Sequence, residues 1–286
     1  MRRHFGWALA SVVSVGIGGL GAASAADLPL KAPPPVAICN WCGFYIGVNA
    51  GGIWSNDNNT YFGGDTTAGG TTDAINRGQV ARSLGTGSSG FIGGAQAGFN
   101  QQKGNFVWGI EGDVQGTSLS RTVSFSSNLA PAFFPATTTA SEKMDVLATL
   151  RGRVGFTASP MLLLYATGGL AIGDPRVSSS ISTFPIPGGP APAAPGCAGF
   201  CSAVSSSDDW RAGWTIGAGA EWKFNAKWSA KAEYLYYDLG RINQTGTDTL
   251  GRFPGTFYTT STRINGSIAR VGINYAFGAA PVVAKY

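Results

Sequence analysis

Eight segments of the chain alternate apolar and polar residues with a period of two, and the connections between them alternate between long and short. A period of two places successive side chains on opposite faces of a β-strand. The last segment, 268–277, shows the pattern clearly, because Val271, Ile273, Tyr275 and Phe277 share one face. Long connections at one end of a sheet and short ones at the other are typical of an antiparallel barrel that crosses a membrane. The sequence therefore predicts an all-β fold, an eight-stranded antiparallel transmembrane β-barrel with four long extracellular loops and three short periplasmic turns.

The predicted strands are long enough for this purpose. Ten residues at about 3.3 Å each, tilted by roughly 40°, span about 25 Å. A soluble lipocalin-like barrel is the alternative, but its outward faces would be polar, whereas these carry Leu, Val, Ile, Trp and Phe. The predicted strands are 43–54, 89–102, 106–116, 143–156, 161–173, 210–224, 228–239 and 268–277, and the predicted long polar connections are 55–89, 118–142, 174–209 and 240–262.

The N-terminus has the features of a secretory signal peptide. Arg2 and Arg3 precede an apolar stretch, which ends in the small residues Ala23-Ser24-Ala25. A retained membrane anchor is the alternative, but the small-residue ending favours cleavage. We predict four regions: a signal peptide at 1–25, a Pro-rich periplasmic leader at 26–42, an outer-membrane β-barrel at 43–277 and a periplasmic tail at 278–286.

The composition excludes several classes of function. Cleavage of the leader removes His4, which is the only histidine. A mature chain without histidine cannot hold a Ser-His-Asp or Cys-His nucleophilic site, a His-ligated metal or a His-ligated haem. The formal net charge of +5 is small, and the Lys and Arg residues are scattered, so nucleic acid is not an expected partner. We expect no enzymatic activity, cofactor or metal.

The four cysteines form two close pairs, Cys39/Cys42 and Cys197/Cys201. Export to an oxidising compartment favours a disulfide within each pair. A zinc site built from all four thiolates and a redox-active CxxC motif are the alternatives. The predicted topology places the pairs at opposite ends of the barrel, about 25 Å apart, whereas a disulfide requires Cα atoms within about 7 Å. Only bonds within each pair are compatible with that topology.

Charged residues occupy the lumen-facing positions of the predicted strands. The interior of an eight-stranded barrel is only just wide enough to be filled by side chains, and an unpaired buried charge costs several kcal/mol. We therefore expect a structural network of ion pairs; a narrow gated path for small solutes and catalysis by the acid pair Glu111/Asp113 are the alternatives. The network comprises four acidic residues, Glu111, Asp113, Glu221 and Glu233, and four basic residues, Arg151, Arg153, Lys231 and Arg270.

Several segments together resemble a known family. GFYIGVNAGG, TLRGRVGF, LLYATGGLAIG, AGWTIGAGAEW, AKAEYLYYDLG and RVGINYAF, with the leader ADLP…KAPPP, are similar to alphaproteobacterial small outer-membrane β-barrel proteins of the porin family. The resemblance covers residues 26–286 and implies an eight-stranded barrel in the outer membrane. Some relatives are described as porins, others as surface antigens or haem binders. The cysteine pairs and the Pro-rich third loop depart from the commoner pattern.

These observations predict an integral outer-membrane protein with a structural role in the cell envelope and at most a narrow porin-like path. The alternative is a surface receptor, adhesin or haem-binding protein that acts through its extracellular loops. The expected partners are outer-membrane lipid and lipopolysaccharide, the barrel-assembly machinery and an extracellular ligand. We expect the strand 268–277 to pair with 43–54, and its aromatic residues Tyr275 and Phe277 to act in membrane insertion.

Overall fold

The computed structural model describes residues 39–56, 58–66, 70–128, 135–183, 201–248 and 257–277, and these are almost entirely antiparallel β-structure. One short helix, α1 (Thr71–Asn76), interrupts them. The strands are β1 (Gly43–Ser55), β2 (Asn59–Gly64), β3 (Ser83–Gly85), β4 (Ser89–Lys103), β5 (Phe106–Ser127), β6 (Ala136–Ser159), β7 (Leu162–Gly173), β8 (Arg176–Thr183), β9 (Cys201–Ser207), β10 (Arg211–Lys223), β11 (Trp228–Asp248) and β12 (Phe257–Ala276).

Eight of the strands form a closed ring. The order β1-β4-β5-β6-β7-β10-β11-β12 returns to β1 through a ladder that runs from the pair Tyr45–Ala276 to the pair Ser55–Gly266. Closure gives the edge strands their hydrogen-bond partners, which a sheet surrounded by lipid requires. The prediction of an eight-stranded antiparallel ring, closed by the last segment, is confirmed.

The four short strands extend the wall of this ring. β2 continues β1 along β12, because Ser55 pairs with Gly266 and Thr60 with Thr262. In the same way β3 prolongs β4, β8 prolongs β7 and β9 prolongs β10. A break in the strand separates each short strand from the ring strand that it prolongs. We call the part of the wall formed by the eight ring strands, up to these breaks, the lower tier, and the part beyond the breaks the upper tier.

The predicted long connections are thus partly wrong, because they contain the strands of the upper tier. The segments 55–89, 118–142, 174–209 and 240–262 were expected to be polar loops on the ground that they lack an apolar face. Their Ser and Thr residues instead bond across the strands on the outward face: Thr122 donates to Ser141 at 3.0 Å, and the Ser124 and Thr139 hydroxyls lie 3.0 Å apart. Thr suits a pleated surface, and a wall exposed to water does not need an apolar exterior.

Irregularities in register separate the two tiers. The pairing of β5 with β6 shifts between Gly116 and Leu119, and that of β11 with β12 shifts between Asp238 and Arg241. Gly240, with φ of 83°, occupies the second bulge, where a residue with a Cβ atom would be strained.

An extra residue in a strand moves the following side chains to the opposite face. Met144 was expected to face outward, yet it is buried inside the ring, and Asp145, expected to face inward, is partly exposed on the outside. Both expectations were wrong because they assumed that the alternation of inward and outward residues in the lower tier continues unchanged past the register shift.

An apolar belt surrounds the lower tier. Ile46, Val48, Val114 and Val271 are among the exposed apolar residues of its outward face. Aromatic residues lie at both edges of the belt, for example Phe44 and Phe99 at one edge, with ring centroids 4.7 Å apart, and Trp214 and Tyr236 at the other, 5.3 Å apart. Belts of this kind, bounded by aromatic girdles, are typical of strands that contact lipid.

The two ends of the ring differ. The short turns at 104–105, 160–161 and 224–227, the start of β1 and the end of β12 share one end, which we call the turn end. The upper tier lies at the other end, which we call the loop end. No helix in the part of the chain that the structure describes is long and apolar enough to span a membrane.

Two adjacent glycines of β7 test the packing of the wall. A Cβ atom at Gly169 would lie 2.8 Å from the Cα atom of Arg151 on β6, whereas one at Gly168 would have no atom nearer than 3.5 Å. We expect Gly169→Ala to destabilise the folded ring by about 1–3 kcal/mol, the usual cost of overpacking, and Gly168→Ala to have little effect. Urea unfolding of the refolded variants in lipid vesicles measures both; equal midpoints would contradict the close approach of β6 and β7.

Candidate functional site

The lumen of the lower tier contains a layer of buried charges. The register places Arg151 directly opposite Glu111, and Arg270 directly opposite Glu233. Alternation along each strand directs all four side chains inward, and opposite charges on adjacent strands stabilise their pairing. The structure brings the eight charged residues that the sequence placed in the lumen into one layer, with their side chains at most 5% exposed.

Arg151 lies at the centre of this charge layer. Its Nη2 atom is 2.6 Å from Glu111 and 2.7 Å from Asp113, and its Nη1 atom is 2.9 Å from Glu233. Its Nε atom donates to the hydroxyl of Thr149 at 2.9 Å. One guanidinium thus donates to four acceptors, three carboxylates from two other strands and one hydroxyl, whereas the ammonium of lysine has three N–H donors.

Arg270 and Lys231 bind the same carboxylates from the other side of the lumen. Arg270 contacts Glu233 at 2.5 Å and Asp113 at 2.9 Å. Lys231 is paired in register with Glu221, yet its Nζ atom reaches Glu111 at 2.8 Å. Each of these carboxylates therefore has two or more cationic partners.

Arg153 connects the charge layer to aromatic side chains nearer the turn end. Its Nη2 atom is 2.8 Å from Glu221, and its Nη1 atom donates to the hydroxyl of Tyr45 at 2.8 Å. The guanidinium also lies over the ring of Tyr165, with 4.0 Å between Cζ and the ring centroid. Tyr45 in turn donates to Glu111 at 2.7 Å, so the hydroxyl bridges a cation and an anion.

A chain of amide side chains continues the layer around the wall. Asn49 donates to Gln96 at 2.9 Å, Gln96 donates to Asn274 at 2.5 Å, and Asn274 donates to Glu221 at 2.8 Å. The Ser229 hydroxyl also donates to Glu221, at 2.6 Å. Buried polar groups are stabilising only when they are paired in this way.

The acidic residues of the charge layer are all paired with cations. Four carboxylates balance four cations, and Arg151 bonds both Glu111 and Asp113, the pair considered for acid catalysis. The carboxylates that contact these cations are buried in low-dielectric surroundings. Removing one partner of a pair would leave an uncompensated buried charge, which lowers the free energy of unfolding. Within the described ranges, no group of three or more His, Cys, Asp or Glu side chains could hold a metal ion.

An apolar layer, which the alternation pattern did not predict, fills the lumen on the loop-end side of the charge layer, where the two tiers meet. Its members are buried aliphatic, aromatic and sulfur-containing side chains from seven strands of the ring or their extensions. They are Ile53, Ile92, Leu119, Met144, Leu147, Ala171, Val177, Leu235, Tyr237, Leu239, Ile242, Ile264 and Ile268.

The sequence contained a pattern that could have revealed this layer. Ile268 lies two residues from Arg270, Leu235 two residues from Glu233, and Leu147 four residues from Arg151, always at lumen-facing parity and towards the loop end. The strands therefore change from charged to aliphatic lumen residues at a similar height. The expectation that the inward face is polar along the whole of every strand is therefore wrong at this height.

The turn end is closed by Trp41, which was also missed. A disulfide joins Cys39 and Cys42, whose Cα atoms are 5.6 Å apart, and the intervening turn inserts the indole of Trp41 into the lumen. The backbone N–H of Trp41 donates to the Gln102 side chain at 3.0 Å, and Lys223 Nζ lies 4.9 Å from the indole centroid. Trp41 is buried, packed with Val107, Leu163 and Tyr165. The predicted Pro-rich leader therefore ends in the turn 39–42, whose Trp41 side chain closes the lumen; we call this turn the stopper.

In the upper tier, the carboxylate of Glu142 is buried without a cationic partner among the described residues. It accepts hydrogen bonds from Asn58 Nδ2 at 2.7 Å and from Thr86 Oγ1 at 3.1 Å. These donors lie at the two breaks β1–β2 and β3–β4, so one carboxylate ties both to β6. Burial raises the pKa of Glu142 to about 7, although the two hydrogen bonds partly oppose the shift.

The remaining predicted residues lie at the ends of the ring or outside the described residues. Tyr275 packs edge-on against Trp228 at 5.1 Å and against Phe277 at 5.3 Å, which places both candidate insertion aromatics in the girdle at the turn end. Cys197 lies outside the described residues, so the pair Cys197/Cys201 stays a prediction. The segments 1–25 and 278–286 lie there as well.

Comparison with known proteins identifies relatives over most of the chain. Residues 16–277 match the family model described as outer membrane protein beta-barrel domain. The 31 kDa outer-membrane immunogenic protein of Brucella melitensis is 35% identical over 277 residues, which cover 93% of this chain and 99% of that protein. The 22 kDa outer membrane protein of Rhizobium leguminosarum is 29% identical over 52% of this chain and 53% of its own. OprG of Pseudomonas aeruginosa, a solved outer membrane protein, matches with a TM-score of 0.45 and 10% identity, covering 83% of this chain and 98% of OprG.

Removal of one cation from the charge layer tests its contribution to stability. We expect Arg270→Ala to lower the free energy of unfolding by about 3–5 kcal/mol, because Glu233 and Asp113 lose a partner in buried surroundings. Arg241→Ala, which changes an exposed arginine of the neighbouring strand β11 that has no ion pair with a described residue, serves as the matched control and should leave the unfolding midpoint nearly unchanged. Urea titration in lipid vesicles measures both; equal midpoints for Arg270→Ala and the unmodified protein would refute the structural role of the layer.

The buried carboxylate of Glu142 predicts a pH-dependent upper tier. A folded-state pKa of about 7, raised from the ordinary 4.5, means that the stabilising contribution is fully present below pH 4.5 and is lost as the pH rises through 7. Amide hydrogen exchange around Asn58 and Thr86, corrected for the intrinsic rate, should show more opening at pH 8.5 than at pH 5.5.

Two variants separate Glu142 from other carboxylates. Glu142→Gln should remove the difference between the two pH values, since the amide stays neutral. Asp145→Asn, which changes a partly exposed carboxylate of the same strand, should retain the difference. A Glu142→Gln variant with the unmodified pH profile would assign the effect to another group.

Proposed function

This chain belongs to the outer membrane protein beta-barrel domain family, and we propose that it is a structural protein of the cell envelope whose lumen is closed to solutes. It is an integral protein of the outer membrane. With an even number of strands and both ends of the ring at the turn end, the turn end faces the periplasm and the upper tier faces outward.

The observation that carries the proposal is the presence of three closures in series along the lumen. Trp41 blocks the turn end, the charge layer fills the next level, and the apolar layer lies beyond the charge layer, where the two tiers meet. A solute would have to displace an indole, break ion pairs that hold Arg151 by three carboxylates, and cross a layer of packed aliphatic side chains.

Each closure opposes permeation by a different physical cost. Ion pairs within the charge layer leave no uncompensated charge to attract a counter-ion, and breaking them exposes a buried charge. The apolar layer offers no hydrogen bonds to water, which is how hydrophobic constrictions exclude ions. The stopper adds a covalent restraint, because the disulfide limits how far Trp41 can withdraw.

The proposal also assigns partners to the two ends and to the belt. Lipid and lipopolysaccharide contact the apolar belt, and the barrel-assembly machinery acts on the last strand, where Tyr275 and Phe277 end the aromatic girdle. Closure of the ring and the charge layer support the proposed structural role, because the charge layer connects β1, β5, β6, β10, β11 and β12 across the lumen.

A surface receptor or antigen is the second candidate, and the upper tier is the observation that favours it. Its hydrogen-bonded wall extends beyond the apolar belt and would hold the long connections away from the membrane surface. The Brucella relatives are named as immunogenic proteins. In this second function the connections bind an extracellular ligand, while the lumen stays closed.

Conductance measurements on the refolded full chain test the closed lumen. We expect no stable current steps in planar bilayers and no swelling of sugar-loaded liposomes, under conditions in which a general porin gives both. Trp41→Ala should also remain closed, because two further layers stay intact. Heat-modifiable migration on gels confirms that each sample is folded, and sustained current steps from the unmodified protein would refute the proposal.

A further inference from the structure

Two arginines lie side by side on the outward face, immediately above the apolar belt. Arg241 of β11 is paired in register with Arg263 of β12, and both side chains are exposed. They follow the register shift at Asp238 that separates the tiers. Like charges directly opposite each other on adjacent strands are destabilising, so this arrangement calls for an anion.

Among the residues that the structure describes, one carboxylate binds this pair. Asp238 binds Arg263 at 2.5 Å and also accepts a hydrogen bond from the backbone N–H of Gly240 at 2.8 Å. Arg241 makes no ion pair or side-chain hydrogen bond with any residue that the structure describes. Within the described part of the chain, the pair therefore keeps one positive charge without a counter-ion.

A second pair of cations in the same molecule shows what full neutralisation looks like. Lys143 of β6 is paired in register with Arg176 of β8, also just above the boundary between the tiers. Asp145 binds Lys143 at 3.0 Å and Arg176 at 2.9 Å, and Asp174 binds Arg176 at 3.3 Å. Two carboxylates thus match two cations. Arg241 and Arg263, by contrast, share one carboxylate among the described residues.

The surroundings of the Arg241–Arg263 pair match a lipid headgroup. Directly towards the belt lie the aromatic pairs Trp54–Tyr234, with 6.2 Å between ring centroids, and Trp214–Tyr236. Tyr and Trp concentrate at the membrane–water interface, so the arginines stand at the height of the phosphates.

Below the arginines, the belt has a shallow trough of about 500 Å³. Its lipid-facing side is formed by small residues on β1, β10, β11 and β12, which leave room between the larger neighbours Tyr234 and Val271. These small residues are Ala50, Ala218, Ala232 and Ala269. An acyl chain fits such a trough, because its methylene groups gain contact with the wall along their length.

We propose that Arg241 and Arg263 bind a phosphate of a phosphorylated outer-leaflet glycolipid, with one acyl chain of that lipid in the alanine trough. This inference rests on the proposed orientation, in which the upper tier faces outward. Guanidinium groups bind phosphate through paired, charge-assisted hydrogen bonds. The phosphate supplies the missing negative charge, and the trough selects a lipid over free phosphate.

Binding of lipid A to the refolded full chain tests the proposal. The unmodified protein, the double variant Arg241→Gln/Arg263→Gln and the matched control Lys143→Gln/Arg176→Gln are each titrated in detergent with bis-phosphorylated lipid A and with its fully dephosphorylated form. We expect the unmodified protein and the control to bind the phosphorylated lipid equally, and the double variant to bind it at least about tenfold more weakly, the equivalent of one charge-assisted contact. The dephosphorylated lipid should bind all three proteins equally weakly.

Two further arms identify the source of the phosphate and the contribution of the trough. Millimolar inorganic phosphate should not displace lipid A, and phosphatidylglycerol should bind more weakly than lipid A. Ala232→Leu, which fills the trough, should weaken lipid A binding while the arginines remain. Equal binding by the double variant, equal loss in the control, or displacement by inorganic phosphate would overturn the proposal.

Failure of this inference can be distinguished from failure of the proposed function. Conductance of the unmodified protein bears only on the closed lumen, and lipid binding in detergent bears only on the arginine pair. The orientation is measured separately by labelling Lys143 from outside intact cells, because an inward-facing upper tier would be protected and would remove the outer-leaflet ligand.

Discussion

Backbone N–H and C=O groups that face lipid have no water to bond, so a sheet in the membrane must have no open edge. In this protein the constraint is met by one ladder, between β1 and β12, which joins residues more than 200 positions apart in the chain. Closure directs the inward-facing residues of all eight strands into one narrow interior. There Arg151 lies opposite Glu111 and Arg270 opposite Glu233 on adjacent strands.

The narrow interior explains why the lumen is divided into layers. Eight strands leave space for side chains and little else, and several large charged residues are accommodated only because glycines lie opposite them on the neighbouring strand, such as Gly51 beside Arg270 and Gly169 beside Arg151. Charges can be buried together because each has its partners at hydrogen-bonding distance. The aliphatic side chains occupy a separate level, where they do not compete with those hydrogen bonds.

The lower tier could be predicted from the sequence because lipid imposes an apolar exterior and therefore a clear period of two. The same reasoning placed the eight charged residues in the lumen, although it could not give their partners: Lys231 reaches Glu111 across the lumen rather than its neighbour in register, Glu221. The upper tier could not be recognised in this way, because water on the outside removes the apolar face. Met144 and Asp145 were assigned to the wrong faces because a bulge has no reliable sequence pattern, and Trp41 was missed because its position depends on contacts with distant strands.

The register shifts between the tiers have a consequence for how such a protein can vary over evolutionary time. A single-residue insertion within the lower tier would exchange lumen and lipid faces along the rest of that strand. Beyond the register shifts the strands of the upper tier pair in a new register. Changes in the length of an upper-tier strand therefore need not change which residues of the lower tier face the lipid and which face the lumen. Mutation can therefore remodel the part of the molecule seen from outside the cell while the embedded part keeps its sequence pattern.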